Sequence, residues 1–246
     1  MLTGGLALAA GCSSSAAPTN PTPVPSQSTA PPAPPPPAPV PAPAPPAQPP
    51  APDTARYAVV FDSTWSPASH PTDFPSSAHY SGLIGGTHSS AVTLWREGAI
   101  ASAGIQRMAE RGSKSPLDAE IMQAIGAGTA QHLLSGPHLS GSPGSASMEF
   151  DISQRFPLVT LLTMVAPSPD WFVGVSGLAL FANDQWIDEV RVDLYAHDAG
   201  TDSGASYESP DQVTTPAQNI TRITGYPAAT NGQIRPFGTF TFRRIQ

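Results

Sequence analysis

The sequence predicts a mainly β protein, an antiparallel β-sandwich with short helical insertions, preceded by a disordered proline-rich segment. Three observations predict it. From Met148 onward six short apolar runs follow one another with turn residues between them, the spacing of an antiparallel sandwich. The final run, Phe237-Gly238-Thr239-Phe240-Thr241-Phe242-Arg243, alternates, and three phenylalanines are expected on one face. Residues 18–52 hold 18 of the 31 prolines and neither a charge nor an aromatic ring. Such a tract buries too little apolar surface to offset its ordering entropy.

Taken in order, the chain opens with an apolar run, Leu2 to Ala10, too short to cross a bilayer. It continues into Ala9-Ala10-Gly11-Cys12 and then Ser13-Ser14-Ser15. This resembles the lipobox of bacterial lipoproteins, in which small residues precede a cysteine that becomes acylated. Ala9 stands where that box usually carries leucine, and no basic residue precedes the apolar run. The expected organisation is a signal peptide and lipobox over residues 1–12, a linker over 13–54 and a globular domain over 55–246. At about 3.1 Å per residue, an extended tether of this composition reaches roughly 100 Å. The expected location is the cell envelope, lipid-anchored at the outer face of the membrane through Cys12, or secreted.

In the globular part Tyr57 to Trp65 reads as a strand closed by Ser66-Pro67, and residues 66–90 read as a long loop rich in Pro, Ser, Gly and His. Ala91 to Trp95 reads as a second short strand. Helical patterns cover 99–110 and 117–134. In the second, Leu117, Ile121 and Ile125 recur at fours after Ser115-Pro116, and Gly126 and Gly128 are expected to end the helix early. The later strands are Met148–Ile152, Leu158–Val165, Trp171–Phe181, Trp186–Tyr195, Ile220–Thr224 and Phe237–Arg243.

Composition excludes several chemistries. Cys12 is the single cysteine, so the domain has no disulfide, zinc–thiolate cluster or thiol nucleophile. The net charge is -7, and there is no basic stripe for nucleic acid or anionic lipid. No GxSxG elbow and no phosphate-cradling glycine loop occurs.

Candidate chemistry gathers around two segments. Pro167-Ser168-Pro169-Asp170-Trp171 opens one strand, and Asp198-Ala199-Gly200-Thr201-Asp202-Ser203-Gly204 closes another. If 171–181 and 186–196 form a hairpin folded near Asp184, Asp170 and Asp198 meet at its open end, with Asp202 one short loop on. No lysine or arginine lies between 192 and 221, so the three carboxylates call for a cation. Calcium, which takes six to eight oxygens, is the leading reading, with Gly200 and Gly204 letting the loop curl inward. The competing reading is that Asp198 and Asp202 only cap turns. His70, His79 and His88, with Asp73, lie in the 66–90 loop, but their spacing matches no compact ligand motif and favours histidines that satisfy nearby backbone. Trp65, Trp95, Trp171 and Trp186 read as core before they read as a sugar platform. Asn219-Ile220-Thr221 is a glycosylation sequon by letter only and reads as a strand entrance.

From about Arg56 to Phe242 the chain resembles the spondin N-terminal domain family of animal matrix proteins. The residues that carry the resemblance are Thr64-Trp65-Ser66-Pro67 with His70-Pro71 and Asp73-Phe74-Pro75; Ala78-His79-Tyr80-Ser81 with Leu83-Ile84-Gly85 and Thr87-His88; Trp95 with Glu97-Gly98; Pro167 to Val175; Trp186; Asp193 to Gly204; and Ile220 to Thr224. The resemblance implies a C2-like β-sandwich, a calcium ion at one end held by Asp170, Asp198 and Asp202, and roles in adhesion and matrix or receptor binding. Animal members also carry an acidic residue at Asp151, which the hairpin does not bring to the same end. Phe181 stands where they have a cysteine, and no thrombospondin-type repeats follow.

The expected function is therefore a surface-tethered, non-enzymatic, calcium-binding adhesion or interaction module. Its partner is an unidentified protein or glycan at the cell surface, with the membrane reached through the lipid. One alternative is a calcium-dependent hydrolase of envelope polymer using His79 or His88 with an acidic partner. A further alternative is a C2-like module docking on anionic lipid through the ion.

Overall fold

The computed structural model describes residues 50–246; Cys12, the lipobox and most of the linker lie outside the described residues. The chain runs through β1 (Thr54–Ser63), β2 (His79–Tyr80), β3 (Ile84–His88), α1 (Ala103–Arg111), α2 (Leu117–Gly126), β4 (Ala130–Ser135), β5 (Gly144–Ser153), β6 (Leu158–Ala166) and β7 (Trp171–Ala179). It continues through β8 (Phe181–Ala182), β9 (Gln185–Trp186), β10 (Glu189–Leu194), β11 (His197–Asp198), β12 (Thr221–Arg222), β13 (Ala229–Thr230), β14 (Gln233–Ile234) and β15 (Gly238–Arg244).

Two antiparallel sheets face each other. The smaller has the order β10-β15-β1-β5 and the larger β12-β11-β7-β6-β3-β4, with β2 added on β6. Alternation in β1 turns Tyr57, Val59 and Phe61 inward and leaves Asp62 exposed. These residues meet Phe150 and Ile152 of β5, Phe240 and Phe242 of β15, and Val159, Leu161, Trp171 and Val173 of the larger sheet in one core. Phe237 joins that core from just before β15, against Trp65 and His70.

The opposite face of the larger sheet is also dry. Leu162, Met164 and Phe172 pack there against Ile105, Met108, Leu117 and Ile121 of the two helices. The helices thus form a third layer, and β6 and β7 are apolar on both faces because they are covered on both. Helix α1 is capped by Ser102, whose hydroxyl accepts from Ile105 N (3.1 Å). Glu120 of α2 reinforces the cap, accepting from Gly104 N (2.7 Å) and from Ser102 Oγ (2.6 Å).

Four sequence expectations are corrected. The 66–90 segment contains β2 and the fully buried β3. Gly85 lies so close to β6 that a Cβ would stand 1.9 Å from Thr160 O, so glycine marks a squeezed strand here. Residues 91–95 form no strand; the segment turns to bury Trp95 against Phe172 and His197. Helix α2 stops at Gly126, as its glycines predict, but 130–135 is strand rather than helix. The 171–181/186–196 hairpin exists only at its tip, where Phe181 pairs with Trp186 and Ala182 with Gln185. Beyond the tip, β10 crosses to the other sheet and pairs with β15, and the chain returns to β7 only at β11. The charged residues Glu189, Arg191 and Asp193 give β10 one wet face, which suits an outer sheet edge and not a place beside β7.

Candidate metal centre

The site begins at a turn. Ser168 Oγ donates to Val165 O (2.6 Å) and accepts from Trp171 N (3.0 Å), ending β6 and starting β7. Asp170 is the last residue of this turn and is fully buried. Across the sheet, Asp198 stands opposite Trp171, and Asp170 O accepts from Ala199 N (3.1 Å). Asp170 and Asp198 therefore reach one rim, as expected, through β11 rather than through a continuous hairpin.

The following loop closes over Asp170. Thr201 N (2.7 Å), Thr201 Oγ1 (3.1 Å) and Asp202 N (3.0 Å) all donate to Asp170 Oδ2. Gly200 makes the bend possible at φ +76, where a Cβ would lie 2.3 Å from Gln218 O. Asp198 Oδ1 accepts from Gly200 N (2.7 Å). Asp202 accepts from Gly204 N at Oδ1 (2.8 Å) and from Gln212 N at Oδ2 (2.7 Å), so the turn-capping role read from the sequence is present for both aspartates.

Carboxylate charge accumulates along this rim. Burial first, and the Asp198 charge second, push the Asp170 carboxyl up to about 6, against the hydrogen bonds from Thr201 and Asp202. Asp198 is also raised, by burial and then by Asp202. The Gly200 N–H opposes this, as does the Trp171 indole N–H from beyond ordinary hydrogen-bond reach. Among the described residues no ion pair reaches any of the three. Asp170 Oδ1 is buried with no partner at all, a state that calls for a proton or a cation.

The residues present fit a hard cation better than a soft one, since all three side chains offer carboxylate oxygens. Asp170 Oδ1 and Asp198 Oδ2 are free of hydrogen bonds, and Asp202 lies beside them. Among the described residues no three side chains of His, Cys, Asp or Glu converge as a ready-made cage. The carboxylates form a line of two charge contacts, Asp170 to Asp198 and Asp198 to Asp202, so a full shell would need loop carbonyls.

The other candidates are placed elsewhere. Asp151 lies on the smaller sheet in an ion pair with Arg56 (2.9 Å). His70 holds Ser69 Oγ (2.9 Å) and faces Arg235 O. His79 holds Ser77 O (2.7 Å), and His88 holds Ser89 O and Thr160 Oγ1 (both 2.8 Å). The three histidines do not converge. All four tryptophans are buried, which supports the core reading over a sugar platform. Glu97 enters the sequence reading only beside Trp95 in the resemblance; its carboxylate meets His197 Nε2 at 2.9 Å across the end of β11, a pairing that no local pattern signals, since the two are a hundred residues apart.

Comparison with known proteins follows the same stretch. The Spondin_N family model matches residues 55–237. The chain is 35% identical to Spondin-2 of Homo sapiens over 196 residues, 78% of this chain and 58% of that protein. It is 39% identical to Spondin-1 of Homo sapiens over 180 residues, 70% of this chain and 22% of that protein, and 36% identical to Spondin-1 of Xenopus laevis over 207 residues. The chain thus corresponds to only part of either relative.

Proposed function

The chain belongs to the Spondin_N family, and from that premise we propose that it is an extracellular interaction module that binds calcium at Asp170, Asp198 and Asp202 and carries out no chemistry of its own. The observation that carries the reading is the buried, unpartnered Asp170 Oδ1 with Asp198 beside it and Asp202 beyond Asp198, none of the three in an ion pair among the described residues. A bound calcium would supply the missing positive charge. The chain's own contribution is to hold the oxygens: Thr201 fixes the rotamer of Asp170, Gly200 bends the loop, and β11 sets Asp198 against β7. In millimolar extracellular calcium, even a weak site of this kind fills and stabilises the fold by mass action.

Lipid attachment at Cys12, with the proline-rich tract as tether, completes the reading as a surface-held module whose ligand is a protein or glycan. The hydrolase alternative requires His79 or His88 to meet an activated carboxylate, and each ring is instead engaged by its own neighbours. Titration calorimetry of the full chain with calcium, alongside the Asp198→Ala variant, tests the proposal. Heat of binding that is lost in the variant is the expected result; no heat in either protein overturns it.

A further inference from the structure

The last residues of the proline-rich tract are seated on the domain. Trp186 Nε1 donates to Pro52 O (2.7 Å). Gln154 Nε2 donates to Ala51 O and to Pro52 O (both 3.1 Å), and Gln154 N donates to Asp53 O (2.9 Å). Ala51 packs against the core between the sheets. The receiving surface is made by Gln154, just after β5, and by the β8–β9 hairpin, which belongs to neither main sheet. It turns through Asn183 and Asp184, both at positive φ (52 and 59), and sets Phe181 edge-on to Trp186 at 4.9 Å.

The chemistry matches recognition of an extended proline-containing strand. Proline has no N–H, and an extended chain makes no internal hydrogen bonds, so its carbonyls are the handles left to a partner. An indole N–H and a side-chain amide beside aromatic rings are the groups that read such carbonyls.

We propose that Trp186 and Gln154 form a clamp for the chain's own Ala51-Pro52-Asp53, fixing where the proline-rich tract leaves the fold and taking up a pull on that tract before β1 feels it. The position favours such a use. Asp170 precedes β7 and the hairpin follows it, so rim and clamp lie at opposite ends of a nine-residue strand, about 30 Å at 3.3 Å per residue. Strand β1 begins one residue after the clamped segment, and its first pairs are Thr54 with Ser153 and Tyr57 with Arg244. A pull entering there would open the β1 ladder one pair at a time, whereas the clamp places four hydrogen bonds ahead of the first pair. The clamp itself does not depend on lipid attachment; only its mechanical use does.

The test uses the full chain and the variants Trp186→Phe, which keeps an aromatic ring and removes the donor, and Gln154→Ala, which leaves the core untouched. In the unaltered chain the Ala51 and Asp53 amides are expected to be as rigid as β1 by NMR relaxation. Both variants should free them, and Trp186→Phe should speed exchange of the Gln154 amide about five- to tenfold, the factor for losing a hydrogen bond. Amides at 51 and 53 that are mobile in all three proteins would overturn the clamp. Mechanical unfolding between Cys12 and the C-terminus should begin at lower force in both variants. Unchanged rupture force with freed amides would overturn the load-bearing role and leave the seat.

Discussion

Thr201 is bound twice to Asp170, through its backbone N–H (2.7 Å) and its hydroxyl (3.1 Å), and both bonds fall on the same carboxylate oxygen. The other oxygen is left buried and alone. That asymmetry divides the carboxylate into a half that holds the loop and a half that waits for a positive charge, and the behaviour of the rim follows from it.

Asp170→Asn should separate the two halves. The amide oxygen still accepts from Thr201 and Asp202, while the buried charge is gone. In chelator the variant should melt at or above the temperature of the unaltered chain, and added calcium should no longer raise it. Calorimetric melting with and without calcium reads both outcomes; a calcium-induced shift of undiminished size in the variant would remove Asp170 from the site.

In chelator, the pH dependence should run opposite to that of a salt-bridged carboxylate. Asp170 titrates at about 6 in the fold and at an ordinary carboxylate value near 3.8 when unfolded. Between those values the folded state keeps its proton and the unfolded state has lost it. Stability from this group is full below about pH 4 and falls as pH rises to about 6, by roughly 3 kcal/mol at most. His70 and His88 work the other way. Burial lowers both below 6.5, so their contribution is full above that pH and is lost on acidification. Urea midpoints from pH 4 to 7 for the unaltered chain and for Asp170→Asn should differ by a slope of this sign; parallel curves would show that Asp170 titrates normally.

Gly200→Ala should collapse the loop. The added methyl meets Gln218 O at 2.3 Å, and the backbone sits at φ +76. Strain of this kind costs on the order of 2–3 kcal/mol, and the loop that carries Asp202 and the Thr201 donors shifts with it. Both a lower melting temperature and a calcium affinity reduced at least tenfold are expected, measured by differential scanning and titration calorimetry on the same preparation.

Glu120→Ala provides the contrast. It removes the acceptor for Gly104 N and Ser102 Oγ at the start of α1, a cap worth about 1 kcal/mol or more. The melting temperature should fall by several degrees with no change in calcium affinity. A loss of calcium binding here would mean that the helical layer reaches the rim.

The sequence disclosed the residues of the rim better than the path between them. Asp170 and Asp198 lie nearly symmetric about the 182–185 turn, and that symmetry survives the crossing of β10 to the other sheet because β11 returns to β7 in almost the same register. The crossing has a signature in the sequence: Trp171 to Val175 is apolar on both faces, whereas Glu189 to Asp193 alternates with charge, and one sheet position cannot satisfy both patterns. Gly85 and Gly86 misled in the other direction. Glycines in a Pro- and Ser-rich stretch signal a loop, but here they admit β3 between β4 and β6. Pairs such as Glu97 with His197, or Trp186 with Pro52, join residues a hundred or more positions apart, and only the assembled sheets bring them together.

The order β10-β15-β1-β5 gives this protein a particular timetable. The strand made last fills the gap between two strands made long before, so the smaller sheet stays open until residues 238–244 leave the ribosome. Until then β10 has no partner in that sheet, and the smaller sheet can close only after those residues are made.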